Sequence, residues 1–290
     1  MSANPAKRGS STLLARKSVM VRDDDLAEQL KTHLQLDDVE VVAGAEADTE
    51  NREALARAAA AYLRRTVLPG DTFGFSWGRT LASIGGYMEL LPDSTLVALT
   101  GSVGTDFEQS PVDVIRRVAG RSQVRTMTIF APMFVDSAST AAGLRKDPAI
   151  SSVLASYADL DLAVLSIGSW DPPITQLMQS LSSEDRRQLD EAKVRAEVVG
   201  IFIRDDGRPF DAPVVQRRIS ISAEQLIQVP QVLAVAGGTE KVLALAAVAR
   251  SRLITSLITD ERTARQLLAQ EAVAEGPGRY PADPPFRRAV

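Results

Sequence analysis

The chain has 290 residues, with 33 basic and 37 acidic side chains, and its net charge of −4 imposes no polyanion-binding surface. Hydrophobic residues make up 45% and charged residues 24%, the mix of a globular chain able to bury a sizeable core. The absence of cysteine excludes disulfides, thiolate metal sites and thiol nucleophiles, and the single histidine, His33, excludes paired-histidine zinc sites, so no metal or cofactor is expected.

Residues 1–18 are polar and poor in aromatics and read as a flexible segment; 19–270 read as one domain, and 271–290, with Pro277, Pro281, Pro284 and Pro285 among charges, as a disordered tail. No signal-type apolar run follows the first residues. The most apolar stretch, 229–257, is interrupted by Gly237, Gly238, Glu240, Lys241, Arg250 and Arg252, so no membrane span is expected and the cytoplasm is the expected compartment. His33 falls among leucines at helical spacing in polar surroundings and reads as a solvated helix position. Residues 39–42 read as a strand and 50–67 as an alanine-rich helix closed by Pro69 and Gly70. Short apolar runs follow at 72–76, 95–100, 124–130, 162–167 and 232–236, most of them leading through glycine into a helical pattern. Ser110 before Pro111, and Ser222 with Gln225, mark helix starts. Asp206-Gly207 between the apolar segments 198–203 and 216–221 is a turn signal and reads as a hairpin or a short antiparallel excursion. Strands apolar on both faces and alternating with helices specify an α/β fold, a doubly wound, mostly parallel sheet with ligands at the carboxyl ends of its strands.

Four strand ends carry glycine turns, at Gly78-Arg79-Thr80, Thr100-Gly101-Ser102, Ile167-Gly168-Ser169 and Gly237-Gly238-Thr239-Glu240-Lys241. Each can cradle an anion, since glycine lets backbone N–H groups approach closely and a helix N-terminus adds partial positive charge; each is equally read as a corner that glycine merely permits. The last is the sharpest, with a hydroxyl and a lysine behind two glycines. Asp136, Asp171 and Glu197 stand near strand ends, where a carboxylate can accept from sugar hydroxyls, and capping is the bland alternative for Asp136. Arg116-Arg117, Arg186-Arg187 and Arg217-Arg218 read as solvated faces.

The ordered motifs Gly74-Phe-Ser-Trp-Gly-Arg-Thr80, Thr100-Gly-Ser-Val-Gly104, Ala131-Pro-Met-Phe-Val-Asp136, Ile167-Gly-Ser-Trp-Asp-Pro172, Asp206-Gly-Arg-Pro209 and Val235-Ala-Gly-Gly-Thr-Glu-Lys241, ending in Thr259-Asp260, resemble the effector-binding domain of SorC-type sugar-responsive transcriptional regulators. The resemblance covers residues 39–268, and through 100–106, 110–114 and 168–173 it points to regulators of polyol catabolism of the erythritol type. It implies a phosphosugar isomerase-like fold and a phosphorylated sugar or polyol bound at the strand ends. It implies that Gly78, Arg79 and Thr80, with Gly237, Gly238 and Lys241, contact the effector at phosphate, that Glu197 contacts hydroxyls and that Gln176 lies near a further contact. Some relatives carry at Thr100 a lysine that captures its sugar as a Schiff base; threonine cannot, so no covalent capture is expected. The expected ligand set is thus Gly78, Arg79, Thr80, Thr100, Gly101, Asp136, Gln176, Glu197, Gly237, Gly238 and Lys241, with no catalytic residue.

Regulators of this type place a helix-turn-helix module ahead of the effector domain, and residues 1–18 hold about one short helix. Operator DNA is therefore an expected partner only where such a module is present. A homo-oligomer is expected, with the Trp170–Pro173 loop and the apolar helix at 242–248 as pairing surfaces. Two other readings stay open: a phosphosugar isomerase- or deaminase-like enzyme using Glu197, Asp136 or Asp171 as base, and a scaffold whose glycine turns are purely structural.

Overall fold

A computed structural model describes residues 23–45, 47–104, 110–120 and 122–275. Strands β1 (Asp38–Val42), β2 (Thr72–Phe75), β3 (Ser94–Ala98), β4 (Val124–Met127), β5 (Leu162–Leu165), β9 (Gln231–Val235) and β10 (Ser256–Asp260) form one sheet in the order β1-β10-β9-β5-β2-β3-β4, every pairing parallel. All residues of β5 and β10 are buried, as a sheet covered on both faces requires. The expected doubly wound α/β architecture is therefore present. From β2 the chain runs outward through β3 to β4, then returns to the other side of β2 as β5 and continues through β9 to β10. The gap between β2 and β5 is a topological switch point, where the connections leave on opposite sides and a crevice opens.

Helices carry their own stop and start signals. α1 (Asp24–Leu34) is capped by the Asp23 carboxylate and buries Leu26, Leu30 and Leu34. α2 (Asp48–Thr66) follows β1, α3 (Arg79–Ile84) follows β2, and α4 (Pro111–Ala119) starts at the anticipated Ser110 cap. α5 (Ala138–Lys146) and α6 (Pro148–Ala155) lead to β5, and α9 (Ala223–Gln228), with its Ser222–Gln225 capping box, leads to β9. α10 (Val242–Arg250) and α11 (Glu261–Leu268) follow β9 and β10.

Strand β10 has no counterpart among the runs read from sequence. Its segment, Ser256-Leu-Ile-Thr-Asp260, has two apolar residues and no period, and its burial is imposed by the neighbours β1 and β9. The expected short antiparallel excursion at Asp206-Gly207 is present, with Ile203 bridging Pro209, and a tight hairpin not read from sequence precedes it. β7 (Val194–Val198) pairs antiparallel with β8 (Ile201–Arg204) through a turn at Val199 (φ 47°) and Gly200 (φ 74°), a pair of positive φ values that matches the right-handed twist of a tight hairpin. A β-branched residue at positive φ hid this turn. Asp206-Gly207 does reverse the chain, but onto Pro209 rather than onto 216–221, which contains the short helix α8 (Pro213–Gln216).

β7 and β8 join β6 (Gly168–Ser169) in a small sheet that grows directly from the end of β5. A second core lies there, built on Trp77, Met133, Trp170, Leu177 and Phe202. The Trp170 indole donates to Asp190 (2.7 Å) and meets the Phe202 ring edge-on at 5.8 Å. Trp170 is thus an interior residue. α10 is likewise buried along its length, apart from the half-exposed Leu243 and the partly exposed Arg250 at its end. Of the two surfaces expected to pair protomers, the helix is largely spent inside one protomer, and the loop buries Trp170 while Asp171, Pro172 and Pro173 stay exposed. The arginine pairs divide: Arg187 stays on the surface with Glu184 and Glu191, whereas Arg218 is buried and donates to the carbonyls of Gly200 (2.7 Å) and Ile221 (3.2 Å). Burial lowers its pKa to about 10. Residues 1–18 and 276–290, assigned to loose termini, lie outside the described residues, as does Asp106; within the expected tail Val273 is buried and donates to the His33 carbonyl (2.9 Å).

Candidate functional site

The carboxyl ends of the adjacent strands β2, β5 and β9 open into a cavity of about 70 Å³, room for about five waters or the reactive end of a small polar molecule. From β2 come Gly78, Arg79 and Thr80, from β5 Ser166, Ile167 and Gly168, and from β9 Gly237, Gly238, Glu240 and Lys241. The small sheet adds Glu197, with Thr175 and Gln176 nearby, and the start of α2 adds Asp48 and Arg52.

Each wall has a local cause. Gly78 has φ 141°, and a side chain there would meet Ser166 Oγ at 2.6 Å, so the turn after β2 admits glycine alone. Gly168 faces Glu197 across the β6–β7 pair, and a Cβ on it would lie 2.2 Å from Glu197 Oε1. The missing side chain is what lets the carboxylate in. Glu197 is buried; Thr175 Oγ1 donates to its Oε1 (2.9 Å) and the Gly200 N–H to its Oε2 (3.2 Å). Burial pushes its pKa up against these two hydrogen bonds and the nearby positive charges of Lys241 and Arg218. A carboxylate offers about four acceptor sites, so two remain for hydroxyls.

The partly buried Lys241 donates from Nζ to the Ile167 carbonyl (3.0 Å). Burial and the like charge of Arg79 lower its pKa to about 8, while Glu197, Asp48 and Glu240 oppose the shift. Two cations that repel each other across a cavity leave room for an anion between them. Arg52 is engaged by Asp48 one helical turn away. Among the described residues no group of three or more His, Cys, Asp and Glu is placed to hold a metal ion. The arrangement suits a small anion carrying hydroxyl groups.

Of the residues expected from sequence, Gly78, Arg79, Thr80, Gln176, Glu197, Gly237, Gly238 and Lys241 line this one cavity. Thr100, Gly101 and Asp136 do not. Thr100 is fully buried and bridges Ser220, and the Gly101 N–H donates to the Ile219 carbonyl (2.9 Å). Asp136 is exposed, and the cap of α5 is its neighbour Ser137. Asp48, Arg52, Ser166 and Thr175 were missed: they belong to a helix start, a strand end and a loop far apart in the chain, and no local pattern marks them. Gly238 needs a correction of role, because its N–H already donates to Asp260 Oδ2 (2.9 Å) and Thr263 Oγ1 (2.9 Å).

A family model described as "Putative sugar-binding domain" matches residues 19–269. The erythritol catabolism regulatory protein EryD of Brucella abortus is 30% identical over 223 residues, covering 75% of this chain and 70% of that protein. A transcriptional regulator from Streptococcus pneumoniae superposes with a TM-score of 0.79 at 25% identity, over 85% of this chain and 96% of that one. The full-length sorbitol operon regulator SorC of Klebsiella pneumoniae superposes with a TM-score of 0.78 at 23% identity, over 84% of this chain and 80% of that one, and so shares the fold.

Proposed function

This chain belongs to the family of sugar-binding domains of SorC-type transcriptional regulators, and from that premise we propose that its strand-end cavity binds a phosphorylated sugar or polyol as a regulatory effector. The phosphate sits between Arg79 and Lys241, beside the Gly78–Thr80 turn, and the hydroxyls reach Glu197 with Gln176 close by. The observation that carries this reading is the pair of facing cations on glycine turns next to a buried carboxylate with acceptor sites to spare. Charge-assisted hydrogen bonds from such cations are worth about 1.5–3 kcal/mol each. Polyol catabolism as the regulated process is supported by the erythritol regulator among the relatives.

The effector is bound and not turned over. Supporting this, the relatives named above are regulators. Effector occupancy biases the packing of a homo-oligomer, and operator DNA is read by the helix-turn-helix module of a complete regulator. The test is a panel of four- to six-carbon sugar and polyol phosphates, each beside its unphosphorylated form, with heat of binding, melting temperature and product formation followed together. Binding of a phosphorylated member without product is expected. Product formation overturns the regulatory reading, and binding confined to unphosphorylated polyols overturns the phosphate position.

A further inference from the structure

Asp260 does not itself line the cavity, yet it holds a lining residue, Gly238, and abuts another, Gly237. It ends β10 and caps α11, and it is buried. Its Oδ2 accepts from the Gly238 N–H (2.9 Å), from Asn51 Nδ2 (3.0 Å) and from Thr263 Oγ1 (2.7 Å), and its Oδ1 accepts from the Thr263 N–H (2.9 Å). Although burial raises its pKa, these hydrogen bonds outweigh burial and hold it below the usual carboxylate range. A side chain on Gly237 would lie 2.2 Å from Oδ2.

The anion-cradling geometry of the Gly237-Gly238 turn is therefore filled from inside the protein. We infer that Asp260 is the positioning residue of the cation wall: its carboxylate occupies the space that Gly237 leaves open, fixes the Gly238 backbone, and thereby aims Lys241 into the cavity. The turn closes with the Lys241 N–H on the Gly238 carbonyl (2.9 Å), so whatever holds Gly238 holds the lysine three residues later. Through Asn51 the same carboxylate holds the first turns of α2, which carry Asp48 and Arg52 to the lining. Asn51 keeps this contact with its own Oδ1 buried and without a partner among the described residues. A purely space-filling role for Asp260 would not call for donors from three separate segments on one oxygen.

The inference rests on the proposed site, and its test reads the wall without needing the effector. In the full chain, amide exchange at Gly238 and the pH dependence of Lys241 acetylation are followed by NMR and mass spectrometry. The groups facing Lys241 are Arg79, Glu197, Asp48 and Glu240, and they are unchanged in the variants. Asp260→Asn is expected to speed Gly238 exchange at least tenfold and to move the Lys241 midpoint from about 8 toward the ordinary 10.5. Asn51→Ala, which removes one donor from α2 and leaves the turn's own bonds, is expected to do the same to a smaller extent, and it decides the matter if Asp260→Asn does not fold. Unchanged exchange and an unchanged midpoint in the folded variant overturn the inference. Inorganic phosphate, added to the wild type, is expected to protect Lys241 from acetylation. If it fails to do so while the Asp260 results hold, the phosphate reading falls and the positioning role stands.

Discussion

The turn after β3 and the turn after β9 are alike in sequence, each a short apolar strand running into glycine and a hydroxyl, and their fates differ. At the first, residues 99–102 are threaded between two other segments: the Ser102 N–H donates to the Ala131 carbonyl (2.9 Å), the Met133 N–H to the Ser102 carbonyl (2.8 Å) and the Ile221 N–H to the Leu99 carbonyl (2.9 Å). A Cβ on Gly101 would lie 2.6 Å from the Ala131 oxygen. At the second, Gly237 makes room for side chains, Asp260 at 2.2 Å and Leu55 at 3.0 Å, and the turn delivers Lys241 to the cavity. Glycine after a strand records that something approaches closely. It does not record whether that is backbone, side chain or ligand.

Gly101→Ala tests this contrast most severely. Its Cβ meets the rigid backbone of Ala131–Pro132 at 2.6–2.8 Å, so a loss of about 3 kcal/mol or failure to fold is expected in denaturant melts. The next effect belongs to the other turn: Lys241→Ala should weaken a phosphorylated ligand by roughly ten- to a hundredfold in calorimetry, at about 1.4 kcal/mol per decade, and leave its unphosphorylated form unaffected. Equal binding by both proteins would make Lys241 a lysine that merely follows a turn.

The pH dependence is smaller. Phosphate favours the charged ammonium, whose pKa in the free protein is about 8, so affinity holds below that value while the phosphate, with a second pKa of ~6, stays dianionic. Above pH 8 the lysine loses its proton, and affinity should fall by up to about tenfold per unit, a slope that Lys241→Met abolishes. A slope that persists in the variant would assign the proton to another group. The smallest effect is expected back at the first turn. Thr100 Oγ1 is buried without a partner among the described residues, so Thr100→Val should leave ligand affinity within about twofold and stability equal or higher by about 1 kcal/mol. Loss of binding in that variant would return Thr100 to the site.

What could be read in advance divides along the same line. The strands β1, β2, β3, β5 and β9 and the caps at Ser110 and Ser222 are local events, set by runs of apolar residues and by side chains that bond their own backbone, and they stand where expected. Gly78, Arg79 and Thr80 with Gly237, Gly238 and Lys241 were visible as glycine turns, Glu197 as a carboxylate near a strand end, and Gln176 through family resemblance. Asp136 misled because a carboxylate after an apolar pair has the same local appearance whether it caps, binds or faces water. β10 escaped because its polar ends are buried by neighbours more than 15 residues away in the chain.

By itself the sequence determined an α/β sheet wound in two directions, the absence of thiol and paired-histidine chemistry, and the strand ends at which a ligand can enter. Only the tertiary structure decided which turns face that opening, that Asp260 and not a ligand fills the Gly237–Gly238 corner, and that Asp48, Arg52 and Thr175 join the lining. The physical reason is range. Helix caps, strand runs and glycine corners are settled by interactions within a few residues, whereas the occupant of a corner is settled by segments that meet only after the sheet has closed.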